Sequence, residues 1–161
     1  MITQKELKFV LNYNPGTGIF TWLVDRNWKI KKGSIAGSIN GAEYVQITIY
    51  RNVYLAHRLA YLFMNGEWPE NYIDHRNTIR ADNRWMNLRD ATNRQNSYNS
   101  GVRAKNKTGH KGVRECHNKY RADIRAGGKV VFLGSFDTVE EASEAYQKKA
   151  TELHGAFLHS Q

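Results

Sequence analysis

Cysteine is almost absent from this sequence. Cys116 stands alone, which excludes an internal disulfide and a cysteine-based zinc site. Long apolar runs are missing too, and none approaches the ~20 residues that a membrane-spanning helix needs. The opening "MITQKELKFVLNY" lacks the charged start, extended apolar stretch and small-residue exit of a secretory signal. These absences lead to the expectation of a cytoplasmic protein with no membrane and no disulfide partner. Acidic residues are the other shortage: 24 Lys and Arg face 15 Asp and Glu, a formal net charge of +9. The imbalance is local. From Ser100 to Lys129 nine cations (Arg103, Lys105, Lys107, Lys111, Arg114, Lys119, Arg121, Arg125 and Lys129) meet only Glu115 and Asp123. Such an excess fits a polyanion, most simply nucleic acid, with mere solubility as the plainer alternative.

What is present is enough for a folded chain. Hydrophobic residues make up 40% of 161, and the aromatics are spread along the length. The first segment reads as β structure, with "NPGTG" as a turn and "IFTWLV" as a strand. A basic loop runs from Arg26 to Gly41, and its Lys29, Lys31 and Lys32 are expected to face DNA. Val45, Ile47 and Ile49 alternate with polar partners, and Arg51-Asn52 can turn that strand back into "VYL". A helix carrying Leu55, Leu59, Leu62 and Phe63 on one stripe follows, stopped by Asn65-Gly66 and Pro69. His57 is expected to pack at its start.

The stretch "IDHRNTIRADNRWMNLRDATNRQN", Ile73 to Asn96, holds five asparagines and five arginines. "NYIDH" reads as a strand end and "NLRDA" as a second strand. Thr92 with Gln95 forms a capping-box pattern that starts a helix at Asn93. Asp74 offers a charged oxygen and Asn96 a neutral amide oxygen, the hard donors that Mg²⁺ takes alongside water and phosphate. His75 can be neutral near pH 7 and accept a proton from water. Asn87 can hold strand and histidine in register. Adjacent strand residues point to opposite faces, so Asp74 and His75 serve one phosphate only if the strand twists or ends there. Asn83 and Asn93 read as turn and cap residues.

"IDH", "DNRWMNLRDAT" and "RQNSYN" together resemble the HNH nuclease motif, the ββα-metal site. The nearer resemblance is to HNH homing endonucleases of bacteriophage and group I introns, and it covers roughly Tyr44 to Asn99. It implies His75 as general base, Asp74 and Asn96 as metal ligands, and Asn87 as the asparagine that orients His75. Mg²⁺ is the expected cofactor, with Mn²⁺ also supporting activity, and 5′-phosphate and 3′-hydroxyl ends are the expected products. Many relatives carry His where Asn96 stands, so weak affinity for transition metals is implied. Arg58, in the segment ahead of the motif, is a candidate phosphate contact. A phage origin would put the protein in the host cytoplasm.

Residues 97–109 contain little to bury and read as a linker. Beyond them "KGVREC", "KYRADIRA" and "KVVFLGSF" read as three strands, the last two joined by Gly127-Gly128. Thr138 with Glu141 caps a helix whose Val139, Ala142, Ala145, Tyr146 and Leu153 should pack on the sheet. This unit resembles an AP2/ERF-type DNA-binding domain, which implies Lys111, Arg114, Lys119, Arg121 and Arg125 as DNA contacts. His117 and Phe132 replace tryptophans common in plant members, so a target sequence does not carry over. The expectation is therefore an α+β protein: an N-terminal antiparallel β region with an HNH core (1–99), a basic linker (100–109) and an AP2-like sheet with one packed helix (110–161). It is expected to cut double-stranded DNA as a monomer. Two rivals stay open: an inactive, sequence-specific DNA-binding regulator, and a structural RNA-binding protein.

Overall fold

A helix precedes the first strand, where the sequence led to β structure alone. Thr3 caps α1 (Gln4–Val10) by accepting from the amide of Glu6, whose carboxylate returns to the Thr3 amide at 2.8 Å. This is a capping box, and Thr3 and Glu6 carried its signature in plain view. The computed structural model describes residues 1–99, 102 and 106–155, and the chain divides into two units, Met1–Arg94 and Gln95–Gln161.

In the first unit, β1 (Leu11–Asn14) and β2 (Ile19–Trp22) form a hairpin around the expected turn. Asn14 closes that turn, its side-chain oxygen accepting from the amides of Gly16 and Thr17. A second antiparallel sheet is ordered β3 (Ser38–Ile39), β4 (Val45–Ile49), β5 (Asn52–Leu55). The turn between β4 and β5 lies at Tyr50-Arg51, both at positive φ, one residue earlier than the sequence led one to expect. Helix α2 (Ala56–Asn65) ends at Gly66, whose φ of 90° supplies the left-handed cap. Leu7, Leu11, Phe20, Ile47, Ile49, Leu59 and Leu62 are wholly buried together. Each such side chain stabilises the fold by about 1.5–3 kcal/mol relative to exposure. The last sheet pairs β6 (Tyr72–His75) with β7 (Leu88–Ala91), and α3 (Asn93–Asn99) follows directly across the division between units.

In the second unit, β8 (Val113–Cys116), β9 (Lys119–Ala126) and β10 (Lys129–Phe136) form an antiparallel sheet with β9 central. Helix α4 (Val139–His154) is capped by Thr138, which accepts from the Glu141 amide. Ala142 packs with Val113 and Ala122 on the covered face of the sheet. Leu153, expected on that stripe, is instead exposed. No helix among the described residues is long and apolar enough to cross a membrane.

Candidate active site and basic sheet

Strand β6 ends at His75, which satisfies the condition that strand geometry imposed. Asp74 and His75 are both buried, and they pair with Arg89 and Leu88 of β7. That register sets Arg89 beside Asp74: its Nε and Nη2 lie 2.7 and 2.6 Å from one carboxylate oxygen. Both side chains are almost fully removed from water, at 7% and 6% exposure. Breaking such a buried ion pair by removing one partner is costly.

The loop from Arg76 to Arg84 is ordered by its own amides. Asn87 accepts from the Asn77 amide at 3.0 Å and donates to the Asp82 carbonyl at 2.7 Å. Asn77 donates to Asp82, and Arg84 grips the same carboxylate through Nε and Nη2. These bonds, Arg84 foremost, hold the Asp82 carboxyl down at about 2. Asn87 thus staples the loop. The amide facing the histidine belongs to Asn83, whose Oδ1 lies 3.4 Å from His75 Nε2.

Asn83 is the residue that sequence reasoning assigned to a turn, and it is 2% exposed. Its Nδ2 donates to the Ala81 carbonyl at 3.1 Å, which fixes the amide with its oxygen toward His75. Its backbone is held from the N-terminal hairpin. The Tyr13 hydroxyl donates to the Asn83 carbonyl at 2.7 Å, and the Trp85 amide donates to the Pro15 carbonyl at 2.9 Å. Gly18 passes so close, at φ +74°, that a Cβ there would sit 2.4 Å from the Asn83 and Arg84 backbone. An oxygen facing Nε2 is an acceptor for a proton carried on that nitrogen. Burial, opposed by Asn83 and by the Asp74 and Asp82 charges, lowers the His75 pKa, so the ring is neutral near pH 7.

Two rings pack against His75. His57, at the start of α2 as expected, stands edge-on with centroids 5.1 Å apart, and Tyr44 lies 5.9 Å away. Burial drives His57 down to about 3, and its Nδ1 has no hydrogen-bond partner among the described residues. Arg58 is engaged within the fold: its guanidinium donates to the carbonyls of Pro69 and Asn71, bracing the segment that leads into β6. Asn96 lies on α3, which continues into the second unit. Among the described residues no group of three or more His, Cys, Asp or Glu side chains converges. Asp74, a buried carboxylate oriented by Arg89, is a hard oxygen donor of the kind that suits a divalent ion.

In the second unit, Ala122 and Ile124 face the covered side while Arg121, Asp123 and Arg125 face outward, as the alternation indicated. Asp123 gathers the outer face, taking Arg114 Nη2 at 2.9 Å and Arg121 through both Nε and Nη2. Arg121 also lies over the exposed Phe132 ring, 4.5 Å from its centroid. Lys119 pairs with Asp137, and Lys111 donates to the Ser97 carbonyl. Arg103 and Lys105 lie outside the described residues.

No solved structure matches this chain. An uncharacterized HNH endonuclease of Acanthamoeba polyphaga mimivirus is 36% identical over 104 residues, 63% of this chain and 54% of that protein. The chain thus spans about half the length of the curated relative it matches. Residues 54–98, which run from β5 through the buried Asp74–His75 pair into α3, match the family model of the HNH endonuclease.

Proposed function

We propose that the chain is a metal-dependent DNA endonuclease of the HNH type, cutting at a recognised site to leave 5′-phosphate and 3′-hydroxyl ends. The observation that carries this is the buried His75, its pKa lowered by burial and its Nε2 facing the Asn83 amide oxygen, within the matched segment. A neutral imidazole takes a proton from water as the water oxygen attacks phosphorus, the P–O3′ bond breaks, and the departing 3′ oxygen takes up a proton to become the 3′-hydroxyl. Asp74 and Asn96 would hold a divalent ion, Mg²⁺ or Mn²⁺. That ion supplies charge stabilisation to the phosphate oxygens and leaving group. Arg89 keeps the Asp74 carboxylate in one orientation, and Asn87 keeps the loop after His75 in shape, so the base is presented without reorganisation.

The second unit is proposed as the part that positions the nuclease on double-stranded DNA, with an AP2/ERF-like sheet in the major groove. Its three antiparallel strands, with α4 on one face and Arg114, Arg121 and Arg125 on the other, support that reading. A monomer with domains at 1–99 and 110–161 and a linker at 100–109 is the arrangement proposed.

The test is to incubate supercoiled plasmid with the protein and Mg²⁺ or Mn²⁺ and to resolve nicked from linear product. Cleavage should appear, vanish with chelator, and fall about 10²–10⁴-fold in His75→Ala, the range for a general base. DNA affinity of that variant should stay within a few-fold. Near-normal cleavage by His75→Ala would remove the histidine from the mechanism, and DNA binding without any cleavage would favour the inactive regulator.

A further inference from the structure

The turn Asp25–Lys32 lies outside the matched segment and takes no part in the chemistry above. Its own polar groups fix its shape. Asn27 Oδ1 accepts from the amides of Lys29 and Ile30 at 2.9 and 2.8 Å, and the Arg26 amide donates to the Ile30 carbonyl at 2.9 Å. Asp25 accepts from the Lys32 amide at 2.9 Å and pairs with Lys31 Nζ at 3.0 Å. Arg26 stacks over Trp22 with its guanidinium carbon 4.7 Å from the ring centroid.

At the apex of this ordered turn stands Trp28, 78% exposed, with Lys29 Nζ over its ring at 4.7 Å from the centroid. The indole contributes nothing to the core, although burial of an aromatic ring is among the larger favourable terms in folding. Lys29, Lys31, Lys32 and Arg26 surround it, and Asp25 is the one acid in the turn. A flat π surface set among cations matches a nucleobase flanked by phosphates.

We propose that this turn is a second nucleic-acid contact, in which Trp28 stacks on an unpaired base while Lys29 and Lys32 lie on the neighbouring phosphates. An intact duplex offers no free base face, so the ligand is single-stranded or locally opened DNA. The proposal rests on DNA as the partner of this chain, and it adds a site that recognises unstacked bases independently of the sheet in the second unit. An anionic lipid surface also accepts tryptophan and lysine. DNA is favoured because the turn belongs to a chain that carries the HNH segment and a cationic sheet.

The experiment follows tryptophan emission of the full-length protein, without metal, as oligo(dT), a gapped duplex and an intact duplex are titrated. Oligo(dT) should quench the emission, and Trp28→Phe should lose most of that quench. Trp28→Ala should weaken binding to oligo(dT) and gapped DNA by about 5–150-fold, the range for one stacked base, and to intact duplex far less. Lys29→Gln with Lys32→Gln should flatten the salt dependence. The bonds of Asp25 and Asn27 do not involve the indole, and an unchanged circular dichroism spectrum would confirm that the turn survives. Equal affinity of Trp28→Ala and wild type for oligo(dT) would overturn the proposal, as would quenching by anionic vesicles and not by oligo(dT). A wild type that cleaves plasmid while Trp28→Ala binds normally would sink this contact alone. Quenching by oligo(dT) without plasmid cleavage would sink the nuclease reading alone.

Discussion

Asn83 lies against His75 and Arg89 against Asp74 in the candidate site, and their substitutions should separate function from stability. Asn83→Ala removes the amide oxygen that faces His75 Nε2, so cleavage should drop by roughly tenfold or more with DNA affinity retained, read as a fall in kcat at constant KM. Arg89→Ala takes from the buried Asp74 carboxylate the guanidinium that lies 2.6 Å from it. It should destabilise the first unit by about 3–5 kcal/mol, measured by urea unfolding. Asp74→Ala should harm cleavage more than Asn96→Ala, because Asp74 is the charged donor of the proposed pair. Histidine burial also sets a pH dependence. The folded pKa of His57 lies near 3 against 6.5 for the ordinary group, and that of His75 is lowered as well. The unfolded chain therefore binds protons that the folded chain refuses, so stability is full above pH 6.5 and is lost as pH falls from there toward 3. His57→Phe should flatten that decline in unfolding free energy.

The N-terminal hairpin acts on the site without contributing a catalytic group. Tyr13 and Pro15 on one side of its turn and Gly18 on the other close around residues 83–85. Gly18→Ala adds a Cβ that meets backbone at 2.4 Å and demands a positive φ of a non-glycine residue. Backbone cannot yield as a flexible side chain can. The variant should lose on the order of 1–3 kcal/mol of stability, and its cleavage should fall although no proposed site residue has changed. Thermal unfolding together with plasmid cleavage checks both halves of that expectation.

The two units divide the proposed labour, and charge decides how binding responds to salt. A fragment ending near residue 99 should keep the Asp74–His75 site but bind weakly and choose sites poorly, since the cationic sheet lies beyond it. On that sheet Arg114 and Arg121 are already paired with Asp123, so they carry less free charge than their number implies. Arg125, also on the outer face, should cost about 1–3 kcal/mol on truncation to alanine if it reads a base, with preference relaxed at one position. Binding of full chain, fragment and Arg125→Ala to cognate and scrambled duplexes across salt concentrations tests this. A fragment that matched the full chain in affinity and salt slope would exclude the sheet as the positioning part.

Periodicity and end signals are local, and the elements they govern were legible in the residues. Alternation along β4 and β9, Gly127-Gly128 between β9 and β10, Gly66 after α2, and the order β6, loop, β7, α3 all follow from side chains within a few positions of one another. Even α1 was written in Thr3 and Glu6. Which asparagine meets His75 was not legible, because five asparagines in the stretch from Ile73 to Asn96 have the same donors and acceptors. The choice fell to a hydroxyl on Tyr13, 70 residues away, that fixes the Asn83 backbone under the histidine, while Asn87 was drawn to loop amides. The ion pairs of Asp74 with Arg89 and of Asp123 with Arg114 likewise depend on strand register. Sequence spacing sets the faces of a strand, but only the packed structure sets which charge lies across from it.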